Sequence, residues 1–329
     1  MEILWKKELK IPFLCPPVAG DGAIYLGSSI KRVYELDAYT GEKLGKLWVD
    51  VPVEDGLAFY DNHLAITGRS VFNRMKVYDI ANGQFVWDMK SDRIAASPIA
   101  CEKKVFVSTD KGSVYALDIY SGDKIWNTRL KNAVIEHELA FRDSLVFVVD
   151  QNGRLFCMES DSGKIRWELD LPERPVGPPV VIPDHVFVPT YNGIMPIITL
   201  SGEKRVTVES PGELIAPVVC SGPSVYGVTR YGIVFAGDLG AGGIMWQVDL
   251  DSPVIAPPVL WGYELVVIDH AGKISLVRAY DGEIMDEMNL SEPVTTGPII
   301  YDRILYVVTE SGTVYAIDRE QNRMENENG

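Results

Sequence analysis

Positive charge is scarce in this chain, and that scarcity excludes whole classes of function. Thirty-one Lys and Arg stand against 46 Asp and Glu, a net charge of −15 over 329 residues. Nucleic acid is excluded, because displacing counterions from phosphates needs a basic face. An anionic membrane surface is excluded on the same ground. No stretch approaches the roughly 18 consecutive apolar residues of a membrane span. The opening Met1–Lys10 alternates charge and bulk, where a signal peptide has a basic end and then an apolar block. The expectation is a cytoplasmic protein with no membrane partner. Cysteine is also sparse: Cys15, Cys101, Cys157 and Cys220 lie far apart, without CxxC spacing. No nucleophile elbow, Walker-type loop or metal-spaced histidine pair occurs. Helical periodicity over a long segment is missing too.

What is present is repetition. The run Val105–Asp118, followed by Ser121, Gly122 and Trp126, recurs along the chain. Anchored on Asp118, its equivalents are Asp37, Asp79, Glu159, Thr199, Asp238, Arg278 and Asp318, spaced 39 to 42 residues apart. Glycine follows four residues later at Gly41, Gly83, Gly122, Gly163, Gly242 and Gly282, with Gly202 one place early. Within each unit, short runs rich in β-branched and aromatic residues, such as Val146–Val149, are bounded by Gly, Asp, Asn or Ser. They read as period-two strands joined by tight turns. About forty residues hold four such strands, the size of one propeller blade. The repeats predict an all-β fold: an eight-bladed β-propeller of four-stranded antiparallel blades.

Ala116-x-Asp118-x-x-x-Gly122-x-x-x-Trp126 resembles the tryptophan-docking motif of the PQQ-like, quinoprotein-type propeller repeats, and Ala236-x-Asp238-x-x-x-Gly242-x-x-x-Trp246 matches it fully. Asp79/Gly83/Trp87 and Glu159/Gly163/Trp167 match with one position altered, and the resemblance covers essentially the whole chain. Gly45, Val206 and Asp286 stand where tryptophan is expected, so those blades should be less tightly tied to their neighbours. The motif reads as structural: the indole docks, the glycine permits a tight turn, and the short acid caps it.

Trp5 precedes Pro17 by the interval that separates Trp167 from Pro179 and Trp246 from Pro258. Ile3–Leu9 is therefore expected to complete the last blade, leaving no free seam. Residues 1–320 then make a single domain, and 321–329 a disordered polar tail.

Candidate sites follow from departures within the repeat. The innermost strand is expected to carry a proline in six units, at Pro17, Pro98, Pro179, Pro217, Pro258 and Pro298. The other two units carry Glu54, Asp55 and Gly56, and Glu136, His137 and Glu138. These acids would meet at one mouth of the axis, as a site for a divalent cation or basic group or as solvated acids. Asp150–Gly153 reads as a plain turn, since no distal acid stands at EF-hand spacing. A rim surface is expected at Arg69, Phe72 and Arg74, at Tyr191, and at Arg230 and Tyr231, because aromatics and arginines are over-represented in interface hot spots. Cys101 and Cys220 share one repeat position three units apart, about 135° around an eightfold ring. They are too distant for a disulfide, which needs Cα atoms within about 7 Å. Free buried thiols are expected.

The leading functional reading is a non-enzymatic, monomeric scaffold for protein partners, with no cofactor expected. Within the resemblance, the outer-membrane barrel-assembly lipoprotein is a scaffold of this kind. It would need a leader and a lipidated cysteine near the start, and neither is expected here. The alternatives are a PQQ-dependent dehydrogenase and a lectin-type propeller in which Trp261 and Tyr301 stack on sugar rings.

Overall fold

The computed structural model describes residues 1–319 except 55, 69–73, 215, 255, 295 and the side chain of residue 74. Asp55, Arg69, Phe72, the Arg74 side chain and the segment 321–329 therefore lie outside the described residues. Among the described residues, thirty-two strands form eight four-stranded antiparallel sheets. Seven blades take their strands in sequence order. The eighth joins Ile299–Tyr301, Ile304–Val308 and Thr313–Asp318 to the N-terminal strand Glu2–Glu8. The register of that closure runs from Glu2 opposite Asp318, through Trp5 opposite Ala316, to Glu8 opposite Thr313. Among the described residues, no helix is long and apolar enough to cross a membrane.

Burial separates the strands by depth. In the fourth blade, Leu145–Val149 is buried at every position, because a middle strand has neighbouring blades on both faces. The outer strand Ile165–Asp170 alternates half-buried with exposed residues. Period-two patterning belongs to the outer strands, whereas the middle strands read as continuous apolar runs.

Each hydrophobic cluster sits between two blades. One joins Phe106, Val114 and Ala116 of the third blade to Val146, Val148 and Phe156 of the fourth. The joints are keyed by tryptophan. Trp126 Nε1 donates to Ser160 O of the next blade at 2.7 Å. Trp5, Trp87, Trp167 and Trp246 reach Ala38 O, Ile119 O, Leu200 O and Ala279 O at 2.8–3.0 Å. The acceptor is always the residue after the repeat's acid position. Across its own sheet each indole faces a small or slender side chain: Ala116 faces Trp126, Cys157 faces Trp167 and Ala236 faces Trp246.

The motif glycine serves the joint as well as the turn. A Cβ on Gly163 would lie 2.4 Å from the Trp126 ring, and one on Gly122 would lie 2.6 Å from the Trp87 ring. Asp118 Oδ1 accepts from the amides of Tyr120 and Ser121, both at 2.9 Å. Asp238 Oδ1 accepts from Gly240 and Ala241 at 2.7 and 2.9 Å. Those two amides, Ala241 foremost, hold the Asp238 carboxyl below the usual carboxylate range.

The three joints without the indole are filled by other means. Between the first and second blades, Phe59 stacks on Tyr25 at 5.7 Å and covers Gly20. Between the fifth and sixth, Val206 lies against Gly242 and Val208 against Gly237. Between the seventh and eighth, Trp261 Nε1 donates to Arg303 O at 2.7 Å.

Candidate functional site

Every link between blades enters the next innermost strand at the same end of the ring, here called the upper end. The links are pinned there by single bridges to the end of the second strand, such as Ile135 with Asp150, Pro175 with Thr190 and Leu214 with Thr229. The prolines and the acids occupy these links, which corrects the expectation that they lie within the innermost strands. Pro98 precedes Ile99–Cys101, Pro179 precedes Val180–Ile182, and Glu136–Glu138 ends before Ala140–Arg142. The reason is the missing amide hydrogen: proline cannot donate to a ladder, so it stops just outside one.

The links converge on an axial cavity of about 450 Å³ to which all eight blades contribute. Glu54, Glu136, His137 and Glu138 line it, among Pro16, Pro217, Pro257 and small residues. Among the described residues, no three His, Cys, Asp or Glu side chains are placed to hold a metal ion. The described acids thus share a cavity without forming a coordination sphere. Burial holds the His137 imidazole below its ordinary pKa against the opposing pull of Glu136 and the Pro175 carbonyl, so it is neutral at pH 7.

The rim beside this mouth is more closely built. Tyr191 and Arg230 come from the hairpin turns of adjacent blades and meet on one carboxylate, Glu213, in the link between them. Tyr191 Oη donates to Glu213 Oε2 at 3.1 Å, and Arg230 Nη1 lies 4.0 Å from the same oxygen. Tyr231 beside them is 70% exposed. Glu213 was not singled out in the sequence. It is the one acid among the equivalent link positions Arg93, Val134, Arg174, Pro253 and Pro293.

Other candidates resolve into structure. Trp261 is 2% exposed, which leaves no face for a sugar, and half-buried Tyr301 packs against the core between the eighth and first blades while its Oη accepts from the Gly22 amide at 2.9 Å. The Asp150 carboxylate is consumed by its own turn and by Arg154 Nε, each at 2.9 Å. The four cysteines form no disulfide with one another, and burial pushes Cys101 up to about 11 and Cys157 and Cys220 up to about 12. None of these three is a thiolate at neutral pH.

The family profile described as outer membrane protein assembly factor BamB matches residues 31–136, 121–208 and 230–325. The chain belongs to that family. It is 26% identical over 244 residues to the outer membrane protein assembly factor BamB of Yersinia pestis, covering 63% of this chain and 61% of that protein. The chain thus spans less than two thirds of that relative's length. The crystal structure of BamB from Moraxella catarrhalis superimposes with a TM-score of 0.78 at 18% identity, over 96% of this chain and 98% of that one. A shorter stretch of 122 residues is 31% identical to the 1-butanol dehydrogenase (cytochrome c) of Thauera butanivorans, covering 31% of this chain and 18% of that enzyme. The cytoplasmic expectation is corrected by these relatives, since assembly of outer membrane proteins is not a cytoplasmic task. Charge and the lack of an apolar block describe this sequence, not the compartment of its family.

Proposed function

We propose that the protein is a non-enzymatic propeller that binds protein partners in outer membrane protein assembly, and that its upper face is the docking surface. The family match and the assembly-factor relatives support the first half of this reading. The second rests on the Tyr191–Glu213–Arg230 cluster, which presents aromatic and charged groups beside the exposed Tyr231 and the acidic mouth. A tyrosine held by a carboxylate, as Tyr191 is by Glu213, loses little freedom on binding, the condition under which such residues become hot spots.

A quinone dehydrogenase is the other reading, favoured by the stretch similar to the Thauera enzyme. The quinone cofactor PQQ is a planar tricarboxylate. The upper axial cavity sets three glutamates around it, with no Lys, Arg, Phe, Tyr or Trp among its described lining residues. Carboxylates facing carboxylates repel, so these residues do not fit that group.

The test is capture of envelope proteins from the native cell with wild type and with Tyr191→Ala/Tyr231→Ala. The double variant should lose at least about tenfold in recovery of a specific partner, the effect of removing one or two hot-spot side chains, while its melting temperature stays unchanged. Equal recovery by the two proteins would move the docking surface away from this rim.

A further inference from the structure

Positive charge, scarce in the chain as a whole, collects at one seam. The outer strand of the first blade, Lys43–Trp48, and the closing strand Glu2–Glu8 of the eighth stand on either side of the joint that seals the ring. Trp5 crosses this joint to Ala38 O, so Lys7, two residues on, faces the same seam. From the first blade, Tyr34 packs into the core of the joint, and Lys43 and Lys46 lie over its ring at 5.4 and 5.9 Å. Arg32 lies over the Trp48 ring at 5.4 Å, and Trp48 is 56% exposed. Among the described residues, none of Lys7, Arg32, Lys43 and Lys46 has a carboxylate partner. Rings, not acids, hold three of these four cations.

Trp48 and Lys46 are also departures from the repeat. Six of the seven tryptophans key a joint through their N–H, and Trp48 keys none among the described residues. It ends its ladder opposite Arg32 where Glu8, Arg129 and Asp170 end theirs, and every other outer strand carries a charged or amide side chain there. Lys46 stands where the second, fourth and seventh blades carry Asp88, Glu168 and Glu287. An exposed tryptophan stacked with an arginine is a hot-spot pair. Beside it, cations without carboxylates call for a partner that brings them.

We propose that this seam docks an acidic peptide segment of a partner protein, with carboxylates on Lys7, Lys43 and Lys46 and an apolar side chain on the Trp48 ring. The strand Lys43–Trp48 spans about 16 Å at roughly 3.3 Å per residue, the reach of about five residues of extended chain. A narrow segment meets only the seam, whereas a flat anionic bilayer would also meet the surrounding surface of a molecule carrying −15 overall. The seam lies across the ring from Tyr191 and Arg230, so its failure would leave the proposed function standing.

An array of short peptides, each with one Leu, Phe or Trp flanked by Asp and Glu, tests the proposal beside the same peptides with Asn and Gln in place of the acids. The full chain should bind acidic members saturably in fluorescence-anisotropy titration, and their amide counterparts at least about tenfold more weakly. Trp48→Ala and Lys43→Gln/Lys46→Gln should each weaken the tightest acidic peptide by at least about tenfold, and Tyr191→Ala/Tyr231→Ala should leave it within about twofold. The lysine variant carries the test alone if circular dichroism finds Trp48→Ala unfolded. The proposal is overturned if no acidic peptide binds better than its amide counterpart, or if a folded seam variant binds as wild type does. Trp48-dependent binding to phosphatidylglycerol vesicles without binding to any peptide would also overturn it, giving the seam to a lipid surface.

Discussion

Trp126 carries three structural duties at once. Its ring is 7% exposed, its N–H reaches across the joint to Ser160 O, and its face covers Gly163 of the next blade. Truncating it opens a cavity at an inter-blade seam and strands a buried carbonyl. Trp126→Ala should therefore lose about 3–5 kcal/mol in urea unfolding, and an unchanged midpoint would remove the docking assignment. The indole, acid and glycine were legible in the sequence because they repeat at fixed spacing. The aromatic behind the indole was not singled out, although it too repeats. Phe106, Phe147 and Tyr226 precede Trp126, Trp167 and Trp246 by 20 residues each and lie 6.0, 6.1 and 6.2 Å from them. Pairing across a sheet is a property of register, which a motif read along the chain does not display.

At the scale of the hairpin, glycine has two different jobs that one substitution can separate. Gly163 has φ +66°, and its added Cβ would collide with Trp126. Gly83 has φ +68°, but the nearest atom to its added Cβ is Tyr78 Oη at 3.7 Å. Alanine at either position incurs the left-handed penalty of about 1–2 kcal/mol. At Gly163 it adds overpacking of about 1–3 kcal/mol. Gly163→Ala should thus unfold at clearly lower urea than Gly83→Ala, and equal midpoints would mean that the glycine acts only through its turn. Blade count and strand order were readable because the period is nearly constant. Strand depth was less so: Leu145–Val149 is apolar throughout, and that it is covered on both faces shows only once neighbouring blades stand beside it. The prolines were misplaced by a residue or two for a similar reason, since spacing locates a proline but the ladder decides where the strand begins. At the rim, Tyr191 and Arg230 were visible as turn residues, but Glu213 joins them only once two blades stand side by side.

Across the whole molecule, the ring is closed by chain ends that lie far apart in sequence. Glu292 reports on that closure. Its carboxylate accepts from Ser311 Oγ at 2.5 Å, Thr309 Oγ1 at 2.9 Å and Tyr315 Oη at 3.0 Å, and lies 3.4 Å from Lys6 Nζ of the closing strand. These bonds, Ser311 foremost, hold its pKa at about 2 against burial, below the ordinary 4.5. The folded-state value is depressed, so the contribution is complete above pH 4.5 and drains away as pH falls from 4.5 towards 2. Glu292→Gln should melt below wild type at pH 7, and the gap should narrow across that acid window. A gap independent of pH would deny the carboxylate this role.

The closure itself is most directly tested by hydrogen–deuterium exchange of the first nine residues, followed by mass spectrometry at neutral pH. The strand Glu2–Glu8 pairs with Thr313–Asp318 as Lys124–Arg129 pairs with Ser113–Asp118. The two outer strands should accordingly exchange with comparable protection. Exchange of residues 1–9 as a free chain, while Lys124–Arg129 stays protected, would contradict a ring sealed by its own beginning.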